Sequence, residues 1–308
     1  MNNKIIITTG DPNGIGAEIT IKVLNELDLP SDRVLIISNK KILDFYGKLE
    51  HDYEILEIPF DFEIRAGKDT KEGGEFSVKS VIKACELKGK AIVTAPVSKN
   101  AMHLAGYDFN GQTEILQKYL AHDNQMAEML FVAKNFRVLL LTRHVPLKDI
   151  ELTKETIVSK IMRLKEVFEL KFGINNPKFA LCAFNPHAGE NGILGTEEIE
   201  ILIPAVNELR AKGVNITEPL PADTLFVKSA KEYFQNSKNP TYDCIIANYH
   251  DQGLIPIKTV AGIKTVNMTI GLDIIRTSPG HGTAFDIAGK NIADAEGMKE
   301  AIKAVLDL

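Results

Sequence analysis

Short apolar runs that break off into polar, glycine-rich or histidine-bearing segments recur along this chain. Residues 4–8, 33–38, 91–94, 138–141, 179–183 and 244–247 have the length and character of strands buried on both faces of a parallel sheet. Between these runs the spacing becomes helical. Val78, Val81, Ile82 and Cys85 fall on one side of a predicted helix over 77–88, with Gly89 as its stop. Ile157, Ile161, Leu164 and Phe168 form a core stripe over 152–172, capped by Thr153 and ended by Gly173. Further helices are predicted after the turn TGDPNGIGAE to about residue 27, from Gly111 onward, and from Pro204, a residue suited to a first turn, to Gly213. Residues 131–133 and 138–142 read as a hairpin or adjacent strands, and 50–74 as a short strand or two with loops. Strands separated by helices throughout predict an α/β fold built mainly on a parallel sheet.

In such sheets ligands collect where the strands end. The stretch 243–258, DCIIANYHDQGLIPIK, delivers His250 just past an apolar run; His144 follows the run at 138–141 and His187 the run at 179–183. One such histidine reads as a capped or solvent-facing loop residue. Packing a sheet, however, requires no histidine after each of three strands, and three neutral imidazoles with an open position make a catalytic divalent-metal site. The strand, turn and helix start at TGDPNGIGAE suggest either an anion cradle or a tight turn; its glycine spacing is not GxGxxG. Lys99 sits at another strand-to-loop junction, where a solvated lysine is the plain alternative. Thr113, in the first turn of the helix from Gly111, is explained equally well as an N-cap. NPHAGENGILGTEE is too polar and glycine-rich for a simple connection, and Asp223 is expected in a proline-stiffened loop. Lys258, Asn267 and Arg276 could grip a phosphate monoester, with scattered surface cations as the alternative.

Composition narrows the classes. The 308 residues are 44% hydrophobic and 25% charged with a net charge of -5, which excludes a general nucleic-acid binder. Cys85, Cys182 and Cys244 lie in apolar segments without CxxC spacing and read as small buried hydrophobes. No stretch approaches a membrane span or a signal sequence, and no repeat or low-complexity tract is present, so a cytoplasmic globular protein with no membrane partner is expected.

The segments GDPNGIGAE, TAPVSK, GQTEIL, LTRHVPL, NPHAGENGILGTEE, PADTLF, YHDQGLIPIK, VNMTIGL and RTSPGHGTAFDIAGK, in this order, resemble the 4-hydroxythreonine-4-phosphate dehydrogenase family of pyridoxal phosphate biosynthesis across nearly the whole chain. GDPNGIGAE and HGTAFDIAGK also echo the isocitrate and isopropylmalate dehydrogenases. The resemblance implies an α/β fold of that two-domain type, with the active site in an interdomain cleft at a dimer interface. Expected domains are 1–105 plus 270–308 on the cofactor side, and 106–269 for substrate, metal and dimerisation.

By the same resemblance, the metal-binding histidines fall on His144, His187 and His250, and substrate-binding groups on Lys258, Asn267, Arg276 and Thr113. Gln112 stands where the family has a histidine; it can donate a hydrogen bond but carries neither proton nor charge. Gly282, Asp286 and Gly289 fall in the cofactor loop beside His281. An acidic side chain at 286 would accept ribose hydroxyls and favour NAD over NADP. The implied reaction is metal-dependent (Zn, Mg or Co) oxidation of 4-phosphooxy-L-threonine by NAD or NADP to a β-keto acid, which decarboxylates to 3-amino-2-oxopropyl phosphate, in a homodimer with a shared active site. Asp223, Asp251 and Lys99 are candidates for the proton acceptor, and Asp251 could instead orient a ligand histidine. The competing readings are a dehydrogenase of another phosphorylated hydroxy acid, a metal-dependent hydrolase, a phosphate acyltransferase and a non-catalytic metabolite sensor.

Overall fold

The computed structural model describes residues 3–87, 89–123, 125–306 and 308. The chain divides into two compact units, Met1–Ala127 with Val266–Asp307, and Glu128–Thr265 with Leu308. The expected borders fall elsewhere: 105/106 lies after the helix Lys99–Leu104, and 269/270 lies inside the strand Val266–Ile270.

The first unit opens with β1 (Ile5–Thr8), α1 (Gly16–Leu27), β2 (Val34–Ser38), α2 (Lys40–Tyr46), β3 (Glu54–Glu57), α3 (Lys71–Glu86), β4 (Ala91–Thr94), α4 (Lys99–Leu104) and α5 (Gln112–Leu120). The second holds β5 (Glu128–Ala133), β6 (Phe136–Leu140), α6 (Lys154–Leu170), β7 (Lys178–Leu181), α7 (Ile203–Ala211), β8 (Asn215–Ile216), α8 (Ala222–Phe234), β9 (Cys244–Ala247) and α9 (His250–Ala261). The chain then returns to the first unit with β10 (Val266–Ile270), β11 (Arg276–Pro279) and α10 (Glu296–Leu306).

In the first unit the strands run in the order β3-β2-β1-β4-β11-β10, parallel except for the β10–β11 pair. All four residues of β1 and of β4 are buried, as continuous apolar runs require when both faces of a sheet are covered. Ile6, Leu35, Ile37 and Ile92 pack there with Phe76, Val78 and Val81 of α3.

Helix α3 starts six residues before the expected 77, with Thr70 as cap accepting a bond from the Gly73 amide. The pair Gly73-Gly74 hid that start, because glycine weakens the helical signal. Its purpose is close packing: a Cβ on Gly74 would stand 1.9 Å from the Ala101 carbonyl oxygen of α4. The expected end of this helix, Lys88, lies outside the described residues.

In the second unit the order is β5-β6-β9-β7-β8, with β5 and β6 forming the antiparallel hairpin and the remaining pairs parallel. Strands β6, β9 and β7, the three that precede histidines, are therefore direct parallel neighbours and end on the same edge. Helix α6 carries the expected stripe, and Thr153 caps it. Two local expectations need correction. Asp223 lies in the first turn of α8, because the chain turns helical at Ala222 directly after Pro221. His250 opens a helix and is not a loop residue.

The three cysteines are buried and unpaired. Desolvation pushes the Cys85 and Cys244 thiols up to about 12 and that of Cys182 higher still, so all three stay protonated and inert. No helix of the described residues is long and apolar enough to cross a membrane.

Candidate active site

Polar side chains knit the ends of the three histidine-bearing strands together. Asn248, fully buried just past β9, donates from its Nδ2 to the Cys182 carbonyl beyond β7 at 2.9 Å, and Thr142 beyond β6 donates through Oγ1 to the Asn248 carbonyl at 2.7 Å. Gln252 accepts from the Asn248 backbone amide at 2.7 Å and donates to the Ala183 carbonyl at 2.7 Å. Gly253 lets α9 lie directly on the sheet, since a Cβ there would meet Leu140 Cδ2 at 2.6 Å and Val138 Cγ1 at 2.9 Å.

His250 is thereby fixed as the first residue of α9. Its ring centroid stands 5.7 Å from that of His144, and both line one open pocket with Asp251, Tyr249 and Arg143. His250 Nδ1 lies 2.7 Å from Asp251 Oδ1. A carboxylate can only accept there, so Nδ1 carries the hydrogen and Nε2 keeps its lone pair for a ligand. That donor set, two imidazoles with one already oriented, suits a first-row divalent ion.

His187 is delivered differently, at the start of a turn in which six successive residues have positive φ: His187 50°, Ala188 55°, Gly189 76°, Glu190 45°, Asn191 56° and Gly192 92°. Among the described residues no three His, Cys, Asp or Glu side chains are disposed to hold one ion, so a single chain brings His144 and His250 together without His187. Lys258 lies on the last turn of α9, exposed, roughly 12 Å along the helix axis from His250.

In the first unit Arg276 is 3% exposed, and its Nε and Nη2 both donate to Thr94 Oγ1, at 2.8 and 2.6 Å. Burial alone lowers its guanidinium from 12.5 to about 9, and among the described residues no acid pairs with it. Such a cation calls for an anion from outside the chain. Thr269 lies opposite Arg276 in the β10–β11 ladder, and Asn267, two residues earlier, shares its face. Thr269 Oγ1, Asn267 Oδ1 and Thr8 Oγ1 are buried without hydrogen-bond partners.

Gln112 is buried; its Nε2 donates to the Ala95 carbonyl at 3.1 Å and its Oε1 has no partner. Turning the amide over would set two oxygens against each other, so this position presents an acceptor. Thr113 is half-buried in the first turn of α5, and the cap position belongs to Gly111, not to Thr113.

In the loop after β1, part of the backbone is spent on a tight turn: Asn13 donates to Asp11 Oδ1, Gly14 to the Asp11 carbonyl and Ile15 to the Thr283 carbonyl. Asp11 itself is fully buried, and desolvation followed by the neighbouring Asp69 raises its carboxyl from 3.8 to about 6.

Lys99 is exposed at the first position of α4. Asp69, which sequence reasoning missed because 50–74 shows little pattern, accepts from Ser98 Oγ and from Asn100 Nδ2, clamping the residues on either side of Lys99. Asp223 is exposed on α8.

In the loop after β11, Gly282 and Asp286 are exposed and Gly289 turns with φ 76°. The Asp286 carboxylate has no partner among the described residues, although its carbonyl accepts from Lys290. His281 keeps Nε2 buried and unpartnered while Nδ1 lies 3.0 Å from the Gly282 carbonyl. A ring nitrogen without a partner among the described residues and an exposed carboxylate in the same loop each suit a hydroxyl or amine group of a ligand.

The family described as pyridoxal phosphate biosynthetic protein PdxA matches residues 4–305 of this chain. A 4-hydroxythreonine-4-phosphate dehydrogenase from Sulfurihydrogenibium sp. (strain YO3AOP1) is 39% identical over 98% of this chain and 97% of its own length. A D-threonate 4-phosphate dehydrogenase from Salmonella typhimurium is 36% identical over 99% of this chain and 98% of its own. The crystal structure of 4-hydroxythreonine-4-phosphate dehydrogenase from Klebsiella pneumoniae aligns with a TM-score of 0.85 at 33% identity, covering 99% of either chain. A β-decarboxylating dehydrogenase from Thermococcus kodakarensis, 15% identical with a TM-score of 0.56 over 100% of this chain and 84% of that one, shares the fold alone. The isocitrate dehydrogenase-like fold expected from the sequence is the one observed.

Proposed function

This chain belongs to the pyridoxal phosphate biosynthetic protein PdxA family, and from that membership we propose that it oxidises the secondary alcohol of 4-phosphooxy-L-threonine with NAD+ to a β-keto acid. Loss of carbon dioxide then leaves 3-amino-2-oxopropyl phosphate. Arg276 carries the reading: a buried guanidinium with no acidic partner is suited to the phosphate monoester common to the substrates of the relatives. Lys258, Asn267 and Thr113 hold the other polar ends of the substrate, and phosphate binding is used to fix the distant carbon.

His144 and His250 would hold a divalent cation, with Asp251 setting the tautomer of His250. Because these two imidazoles stand together without His187, the third comes from a second copy in a homodimer, which makes each site dependent on both chains. When bound, the ion (zinc, cobalt or magnesium) would supply Lewis acidity at the reacting hydroxyl, and a nicotinamide would supply the hydride acceptor. Asp286, with Gly282, Gly289 and His281, receives the adenosine half, and the acidic side chain at 286 favours NAD over NADP. With Asp251 engaged by His250, Asp223 and Lys99 are left as acceptors for the hydroxyl proton. Gln112 cannot serve, having nothing to titrate.

A second reading, oxidation of D-threonate 4-phosphate, is raised by the likeness to a D-threonate 4-phosphate dehydrogenase, and Gln112 is compatible with it. Its free Oε1 accepts from a hydroxyl as readily as from an ammonium. Initial rates of nicotinamide reduction on both phosphorylated substrates, with and without chelator, separate the readings. We expect a chelator-sensitive rate with the aminated substrate in excess; the reverse preference transfers the assignment to the hydroxy acid, and a rate indifferent to chelation removes the metal.

A further inference from the structure

The turn that presents His187 is an unusual way to place a side chain. Left-handed backbone is disfavoured for residues with a Cβ, yet His187, Ala188 and Glu190 all adopt it in succession. Something outside the turn must hold it. Glu198, 3% exposed at the start of the π-helical turn Glu198–Leu202, is the group that does so. Its Oε1 accepts from the backbone amides of Phe184 and Asn185, each at 2.8 Å, and its Oε2 accepts from Asn185 Nδ2 at 2.9 Å. Both oxygens are committed to the two residues that feed into Pro186 and His187. The turn also closes onto this carboxylate, since a Cβ on Gly189 would stand 2.7 Å from Oε2.

A buried carboxylate is costly, and no cation faces it in these bonds. Three N–H donors offset that cost, and an apolar residue here would leave the Phe184 and Asn185 amides without the acceptor that fixes them. We propose that Glu198 is a positioning residue for metal binding: by pinning Phe184 and Asn185 it holds the left-handed turn in the one shape that presents the His187 imidazole to the cation. The inference rests on the reading of His187 as a ligand. It concerns how that ligand is held before any ion arrives, and it assigns to Glu198 no contact with substrate or metal.

The test is a double-mutant cycle on the intact protein, read as zinc affinity by competition with a chromophoric chelator. Glu198→Gln, near-isosteric but with one acceptor oxygen replaced by a donor facing Asn185 Nδ2, is expected to weaken zinc binding by roughly tenfold or more. The same substitution in a His187→Ala background is expected to change it less than twofold, because the ligand it positions is gone. Weakening of equal size in both backgrounds, or none in the first, overturns the proposal while leaving His187 a ligand. If His187→Ala alone binds zinc like the parent, the metal reading of His187 fails and takes this inference with it. Should Glu198→Gln fold too poorly to titrate, Asn185→Ala removes the same Oε2 bond from the other side, and its effect must likewise vanish without His187; persistence there counts against the proposal.

Discussion

At the scale of single residues, the two most informative groups are a base and an acid that burial has pushed in opposite directions. Arg276 has its guanidinium lowered to about 9 by desolvation and is charged at neutral pH. Its burial costs stability below its ordinary value, and a bound phosphate relieves that cost. Arg276→Ala is therefore expected to raise KM for a phosphorylated substrate roughly 10- to 100-fold and to leave an unphosphorylated analogue unchanged. Equal damage to both substrates contradicts the phosphate role. Asp11 is raised from 3.8 to about 6, so its protonated form is the one folding favours. Stability from this group is complete below its unfolded value and is lost as pH rises through about 6. Asp11→Asn keeps the acceptor for the Asn13 amide and cannot ionise. Denaturant titrations should find the variant gaining about 3 kcal/mol relative to the parent between acid and neutral pH; a constant difference across that range contradicts the assignment.

At the scale of elements, the sequence made the strands legible because each is buried on both faces and shows as an unbroken apolar run. The sequence marked the three runs before His144, His187 and His250 as strands without fixing their order, and the structure sets them side by side as β6-β9-β7. What stayed hidden were features in which local propensity yields to packing. Gly73 and Gly74 masked the first turn of α3 because their lack of side chains serves contact with α4. Asp223 was read as a loop residue because two prolines precede it, although Pro221 only leads into α8. The left-handed turn from His187 is signalled only in part by Gly189, Asn191 and Gly192; the positive φ of His187, Ala188 and Glu190 has no counterpart in residue type. Gly253 is the case where element packing bears on chemistry: Gly253→Ala sets a methyl against Leu140 and Val138 and lifts the first turn of α9 off the sheet. We expect a loss of about 1–3 kcal/mol in stability together with a drop in kcat, since His250 moves with that turn. A variant with the parent's kcat shows that α9 need not sit where it does.

At the scale of the whole molecule, one chain buries Arg276 against Thr94 and brings the His144 and His250 rings together, while among the described residues His187 does not join that pair. If the proposed metal site is completed by His187 of a second copy, neither chain alone can hold the ion. The most direct measurement uses His187→Ala and His250→Ala, each expected to bind no metal tightly and to reduce no nicotinamide as a homodimer. In a purified mixed dimer of the two, one site carries both defects and the other carries neither. Turnover of the phosphorylated substrate should then return to about half that of the parent dimer, with one zinc bound per dimer. A mixed dimer as inactive as its parents, or single variants that turn over normally, contradicts the shared centre.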